Sequence, residues 1–190
     1  MKALYKEKLE YLKEILNTES YTASIAKVLL GTIALFAASQ IIIPIKPVPI
    51  TLQTIIISMI GLTYSPRLSF FTVVTYIMAG IVGLPMFSKF SSGFSYFIGP
   101  TGGYIIGFLI AAPLMSFLRN FFSTRFTGII ACCFLAHFVI YALGVSWLAT
   151  FISFKEAVYS GLIIYIPTGI GKIIIFSYLF SYIKNKNNQL

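Results

Sequence analysis

Acidic residues are what this chain has least of. Its 190 residues hold five Asp plus Glu against fourteen Lys plus Arg, and no carboxylate falls between Tyr21 and Lys155. That absence excludes a carboxylate pair for acid–base work and any His–carboxylate arrangement for nucleophilic catalysis. The two cysteines, Cys132 and Cys133, are adjacent, a spacing that suits neither a zinc site nor a CxxC redox pair. The one histidine, His137, has no ligand-spaced His, Cys or carboxylate and reads as a packing residue. No Gly-rich phosphate loop ends in Lys-Ser/Thr, so the chain carries no nucleotide-driven motor of its own. An enzyme is not expected, and neither is a metal or a cofactor.

Charge of either sign is scarce as well, at 10% of residues against about 25% in soluble domains. In its place stand 58% hydrophobic residues and a mean hydropathy of +0.91. The apolar residues gather in six runs, about 25–43, 50–64, 68–84, 102–118, 126–152 and 158–183. Each crosses or nearly crosses a ~30 Å hydrocarbon layer at about 1.5 Å per residue. The expected fold is an all-α membrane protein, a six-transmembrane-helix bundle spanning 21–184. An even number of spans puts both termini on one side. That side collects Lys2, Lys6, Lys8, Lys13, Lys27, Arg67, Arg119, Arg125, Lys184 and Lys186, while the other receives Lys46, Lys89 and Lys155. The bias predicts cytoplasmic termini and a multi-pass protein of the cytoplasmic membrane. It also accounts for the net charge of +9 without nucleic acid. Residues 1–20 space Leu4, Tyr5, Leu9, Leu12, Ile15 and Leu16 along one helix face, which predicts an amphipathic segment on the cytoplasmic interface or a docking helix. Residues 185–190 form a cytoplasmic tail.

Small residues mark expected close approaches between helices, since packing rather than hydrophobicity drives association in lipid. Ala34 and Ala38 share a face of the first span, read either as bundle contact or as an interface with a partner protein. Gly103, Gly107 and Ala111 repeat the device in the fourth span, and Ala79-Gly80-Ile81-Val82-Gly83 ends the third. The second span is short and follows Pro47 and Pro49, which suit the first turn of a helix. A short helix entered from a Pro-rich loop leaves room for a depression at the outer surface.

Three segments should meet there: 44–53, 85–101 and 152–167. The long, aromatic and Ser-rich second segment has the composition of a lid over a ligand. Lys172, inside the last span, is the strongest single signal. A lysine at mid-helix depth costs ~2.5–3.5 kcal/mol on insertion scales, so it either faces a cavity for an anionic or polar solute or snorkels to the interface. Thr51, Gln53 and Tyr104 offer uncharged hydrogen-bonding groups, read equally as site residues, as closure of a first turn (Thr51, Gln53) or as an interfacial tyrosine. Trp147 reads as an interfacial anchor.

The run Ile43-Pro44-Ile45-Lys46-Pro47-Val48-Pro49-Ile50-Thr51-Leu52-Gln53-Thr54, then Pro66-Arg67, Gly80-Ile81-Val82-Gly83-Leu84-Pro85-Met86-Phe87 and Gly99-Pro100-Thr101-Gly102-Gly103-Tyr104-Ile105-Ile106-Gly107-Phe108 resembles the BioY family. These are biotin-binding S components of energy-coupling-factor (ECF) transporters. The likeness covers about Ala34 to Lys172. It implies a six-helix bundle that captures biotin from outside, near the outer leaflet. Its implied partners are a transmembrane coupling subunit and two cytoplasmic ATPases. In such systems an AxxxA face on the first helix contacts the coupling subunit, and Ala34 and Ala38 match it. Where members usually show Pro-Gly-Asp-x-x-Lys, this chain has Pro167-Thr168-Gly169-Ile170-Gly171-Lys172: the lysine is kept and Gly169 takes the aspartate position. Lys89 stands where Asn or another polar residue is common. The resemblance thus implies a site that includes Thr51, Gln53, Lys89, Tyr104, Gly169 and Lys172, with Lys89 or Lys172 reading the ligand carboxylate. A solitary biotin carrier, and a non-transporting membrane scaffold that has lost its ligand, are the competing readings.

Overall fold

A computed structural model describes residues 21–122 and 126–187. The segment 1–20 therefore lies outside the described residues, as do Arg125 and the last three residues of the tail. The chain is built almost wholly of helices: α1 (Tyr21–Gln40), α2 (Gln53–Thr63), α3 (Pro66–Ile81), a short α4 (Phe94–Phe97), α5 (Gly102–Leu118), α6 (Phe126–Leu148), α7 (Phe154–Gly161) and α8 (Ile166–Asn187). By length and composition, α1, α6 and the Phe154–Ile183 segment can each cross a membrane, while α2, α3 and α5 are shorter apolar helices. The α8 helix runs on to Asn187, past the tail boundary expected at 184.

The second apolar run does not begin as a helix. Ile50–Thr51 (β2) pairs antiparallel with Ile42–Ile43 (β1), and the Pro-rich loop is the tip of that hairpin. Proline restricts the residue before it to extended backbone, and three prolines within six residues keep 43–48 from coiling. Helix α2 thus starts only at Gln53 and is 11 residues long, roughly 16 Å at 1.5 Å per residue. The hairpin fills the depth that α2 leaves open. The peptide bond Lys46–Pro47 is cis.

At the last span the apolar run 158–183 is broken between Gly161 and Ile166 by a 3-10 turn, Ile163–Tyr165. A new helix starts there with Pro167 at its second position, where a missing N–H costs nothing. Lys172 therefore sits in the second turn of α8.

Helix α5 is central. It packs on α6, α3 and α2, while α1 lies on α3 and α2, and α8 lies on α6. The Gly face of α5 allows this: a side chain on Gly103 would strike Trp147 and the Leu143 carbonyl, and one on Gly107 would strike the Ile140 backbone. Ala111 is fully buried. Gly80 of α3 makes room for the ring of Phe87, whose tip a Cβ there would meet at 2.3 Å. Ala34 and Ala38 do not form one open face. Ala38 is buried inside the bundle and Ala34 is only half-exposed, because Ala38 turns with Leu35 and Ser39 toward the core.

One end of the bundle is stitched by side chains that reach backbone carbonyls of neighbouring segments. Tyr64 Oη donates to Lys27 O at 2.8 Å and Arg119 Nη1 to Leu62 O at 2.7 Å; Ser116 Oγ donates to Tyr64 O. The opposite end holds the hairpin, the 82–101 segment and the start of α7.

Candidate functional site

Two cavities open at that second end. The inner one, about 60 Å³, lies between the hairpin, α2, α3, α5, α6 and α8. Thr51, Gln53, Tyr104 and Lys172 all line it, together with Thr54, Tyr76, Tyr141, Tyr165 and Phe108. Lys172 is its one charged side chain among the described residues.

Most of its polar groups are held by hydrogen bonds. Lys172 Nζ donates to the Thr51 carbonyl at 2.6 Å, so the last helix is tied to the hairpin strand rather than turned toward lipid. An ammonium has three protons, and this bond uses one. Gln53 is buried at the first position of α2; its Nε2 donates to Tyr76 Oη at 2.8 Å, and Tyr76 Oη in turn donates to Met86 O at 2.9 Å. Thr51 Oγ1 donates to Gln53 Oε1 at 3.1 Å and also accepts from the Gln53 N–H at 3.3 Å. Thr51 and Gln53 therefore close the first turn and face the cavity at once. Thr54 Oγ1 is buried and has no hydrogen-bond partner among the described residues. A donor left unpaired at such a depth costs about 1–3 kcal/mol until something meets it.

Tyr104 is not an interfacial residue. It is buried, and its hydroxyl donates to Gly161 O at 2.8 Å, which leaves the ring to face the cavity. Tyr165 stacks on it at 6.4 Å, and Tyr141 meets Tyr165 edge-on at 6.2 Å. The hydroxyl of Tyr165 donates to the Val48 carbonyl and holds the hairpin tip over the cavity. These three rings form an apolar wall suited to a flat ring or a thioether, opposite the amide and hydroxyl groups of α2.

Two expected residues stand elsewhere. Lys89 lines the outer cavity, with Ser88 and Ser91, and does not reach the inner one. Gly169 is buried behind Tyr141: a Cβ there would lie 3.0 Å from Tyr141 Oη. His137 is buried; its Nδ1 lies 2.8 Å from Cys133 O, and its Nε2 has no partner among the described residues. Trp147 also serves as a clamp, donating through Nε1 to Gly99 O at 2.9 Å and bracing the turn that starts α5.

The three segments 44–53, 85–101 and 152–167 do meet, around the outer cavity. Between Val82 and Thr101 the chain folds over the inner cavity. Phe87 is its plug, buried against Tyr76 and stacked on Tyr96 at 5.0 Å. Gln40, at the end of α1, holds the segment by donating to Phe87 O at 3.0 Å and accepting from Phe90 N at 2.9 Å. Sequence reasoning passed over Tyr76, Phe87, Tyr96, Tyr141 and Gln40. The signal for Tyr76 was available: a hydroxyl in mid-span has to find a partner.

The BioY family model matches residues 7–189. A curated relative, "Probable biotin transporter BioY" of Rickettsia prowazekii, is 51% identical over 172 residues, covering 90% of this chain and 89% of its own. The protein of the same name from Pyrococcus horikoshii is 37% identical over 147 residues, covering 74% of this chain and 86% of its own. A crystal structure of the S-component for biotin from an ECF-type ABC transporter superposes with a TM-score of 0.77 at 25% identity, covering 86% of this chain and 92% of that one. Family match, relatives and fold agree, and the chain belongs to the BioY family.

Proposed function

We propose that this chain takes up biotin across the cytoplasmic membrane, capturing it from outside as the substrate-binding component of an ECF-type transporter. The observation that carries the reading is the inner cavity. A wall of three tyrosine rings faces neutral donors and acceptors on α2 and one ammonium on α8. Biotin offers the complement: an apolar bicycle, a ureido group with donors and an acceptor, and a carboxylate. In this reading Thr51, Gln53, Tyr104 and Lys172 meet the ligand directly. Gly169 acts through Tyr141, giving its hydroxyl room beside the cavity.

The 82–101 segment folds over the inner cavity, and in this reading it swings away for ligand entry. The bundle spans the membrane six times with both termini in the cytoplasm. Supporting this, Lys27, Arg119 and the α2–α3 turn gather at the stitched end, away from Lys46 and Lys89. The partners are a transmembrane coupling subunit and two cytoplasmic ATPases. Ala34 remains a candidate contact for the coupling subunit, whereas Ala38 is taken up by the bundle itself.

The test is equilibrium titration of the purified chain with biotin, with desthiobiotin and a chain-amidated biotin as comparators. Saturable biotin binding is expected. A chain that binds none of the three is a scaffold. Uptake by the chain alone, in cells lacking any coupling subunit, would instead mark a solitary carrier.

A further inference from the structure

The outer cavity is far larger than the inner one, about 840 Å³, and its chemistry differs. Two lysines from separate segments line it: Lys46 at the hairpin tip and Lys89 on the 82–101 segment. Both are exposed, and neither has a hydrogen-bond or ion-pair partner among the described residues. Glu156, across the cavity, is engaged by Ser153 Oγ at 3.0 Å. Two ammonium groups against one carboxylate leave a net positive mouth.

Lys89 does not reach its place by accident of a floppy loop. Its backbone is left-handed at φ 59°, followed by Phe90 at φ 55°. Such a backbone is strained in any residue but glycine. The bracket that offsets this is Gln40, which bonds Phe87 O on one side of the turn and Phe90 N on the other. A strained turn held from both sides fixes the direction from which Lys89 enters the cavity.

The two cavities share Pro49, Ser88, Tyr96 and Thr101 as walls. Across this waist the hydroxyls of Ser88 and Tyr96 stand 2.6 Å apart, a direct hydrogen bond. Any solute that reaches the inner cavity through the outer one first passes the two lysines and then opens this bond.

We propose that the outer cavity is an encounter site for the carboxylate of an anionic ligand, where Lys46 and Lys89 draw the anion in before it crosses the Ser88–Tyr96 waist. The proposal rests on the biotin-capture reading, with biotin the anion. Charges aimed at an approaching ligand raise the rate of capture more than the strength of the final complex. The effect also fades as salt shortens the Debye length.

The experiment is rapid-mixing association of biotin with the purified full chain at low and high salt, alongside dissociation rates and the chain-amidated, uncharged biotin. In the Lys46→Gln/Lys89→Gln double variant, association of biotin falls roughly three- to tenfold at low salt. It does so with an unchanged dissociation rate and a flattened salt dependence. Glu156→Gln moves the association rate the opposite way, and Lys46→Arg/Lys89→Arg keeps the wild-type rate. The uncharged biotin is insensitive to all three changes. A double Gln variant that associates at the wild-type rate overturns the proposal. So does a loss seen only as faster dissociation, which would make the lysines holders of the bound ligand. A wild-type chain that binds no biotin would fail the capture reading itself, an outcome distinct from either.

Discussion

The two ends of this bundle are closed by different means. At one, Tyr64, Ser116 and Arg119 reach backbone carbonyls directly, joining α1, the end of α2 and α5. At the other, closure runs through a proline hairpin, a plug of Phe87 and a bracket of Gln40 around two cavities. Buried backbone carbonyls in a membrane protein need donors, and side chains supply some of them at both ends. Only the second end does it with pieces that can be lifted away and replaced. Ligand affinity should therefore depend on the second end and be indifferent to the first.

The sharpest break in that contrast is Lys172→Met. It removes the inner cavity's cation and leaves the Thr51 carbonyl without its donor. A charged hydrogen bond is worth ~1.5–3 kcal/mol, so biotin affinity should fall about ten- to a hundredfold. Titration at equilibrium reads it directly, and unchanged affinity would remove Lys172 from the site. Next comes Gly144→Ala on α6. Its new Cβ would lie 2.3 Å from the Tyr104 ring, displacing that ring and straining its bond to Gly161. Overpacking of this kind costs about 1–3 kcal/mol. The expected result is a lower thermal midpoint together with weaker biotin binding, while the same measurements on Gly171→Ala, which meets nothing within 4 Å, should move little.

A smaller effect is expected of Tyr141→Phe. The Tyr141 hydroxyl stands beside Gly169, where a longer residue would crowd it, and has no hydrogen-bond partner among the described residues. If it serves the ligand in place of the family's aspartate, losing one neutral hydrogen bond at ~0.5–1.5 kcal/mol weakens biotin roughly two- to tenfold. Desthiobiotin, which keeps the ureido group, should lose the same factor. A loss confined to one of the two ligands would place the hydroxyl away from the ureido end.

These predictions also mark what could be read from residues alone. Helix positions were legible because lipid demands long apolar runs, and Lys172, Thr51, Gln53 and Tyr104 were legible because polar groups are rare there. The hairpin at Ile42–Thr51 was not, since two residues per strand carry no alternation and Ile is as apolar in a helix as in a strand. Lys89 was read as a site residue, yet its separation into the outer cavity depends on Phe87 filling the space above Gly80, a contact that sequence spacing does not reveal. Ala34 and Ala38 shared a face by count, but which way that face turns is decided by the packing of α1 on α2 and α3.

The smallest effect belongs to the stitched end. Tyr64→Phe keeps the ring and deletes only the hydroxyl that donates to Lys27 O. One neutral hydrogen bond at a part-buried site is worth about 1 kcal/mol, so the thermal midpoint should drop slightly. Because this contact ties α1 to the α2–α3 turn at the end away from both cavities, biotin affinity and association rate should stay at wild-type values. Measuring midpoint and affinity on the same preparation separates the two roles. If Tyr64→Phe weakens biotin as much as it weakens the fold, the stitched end is not a passive base. The helices would then transmit its looseness to the hairpin, and capture would depend on the rigidity of the whole bundle rather than on its outer closure.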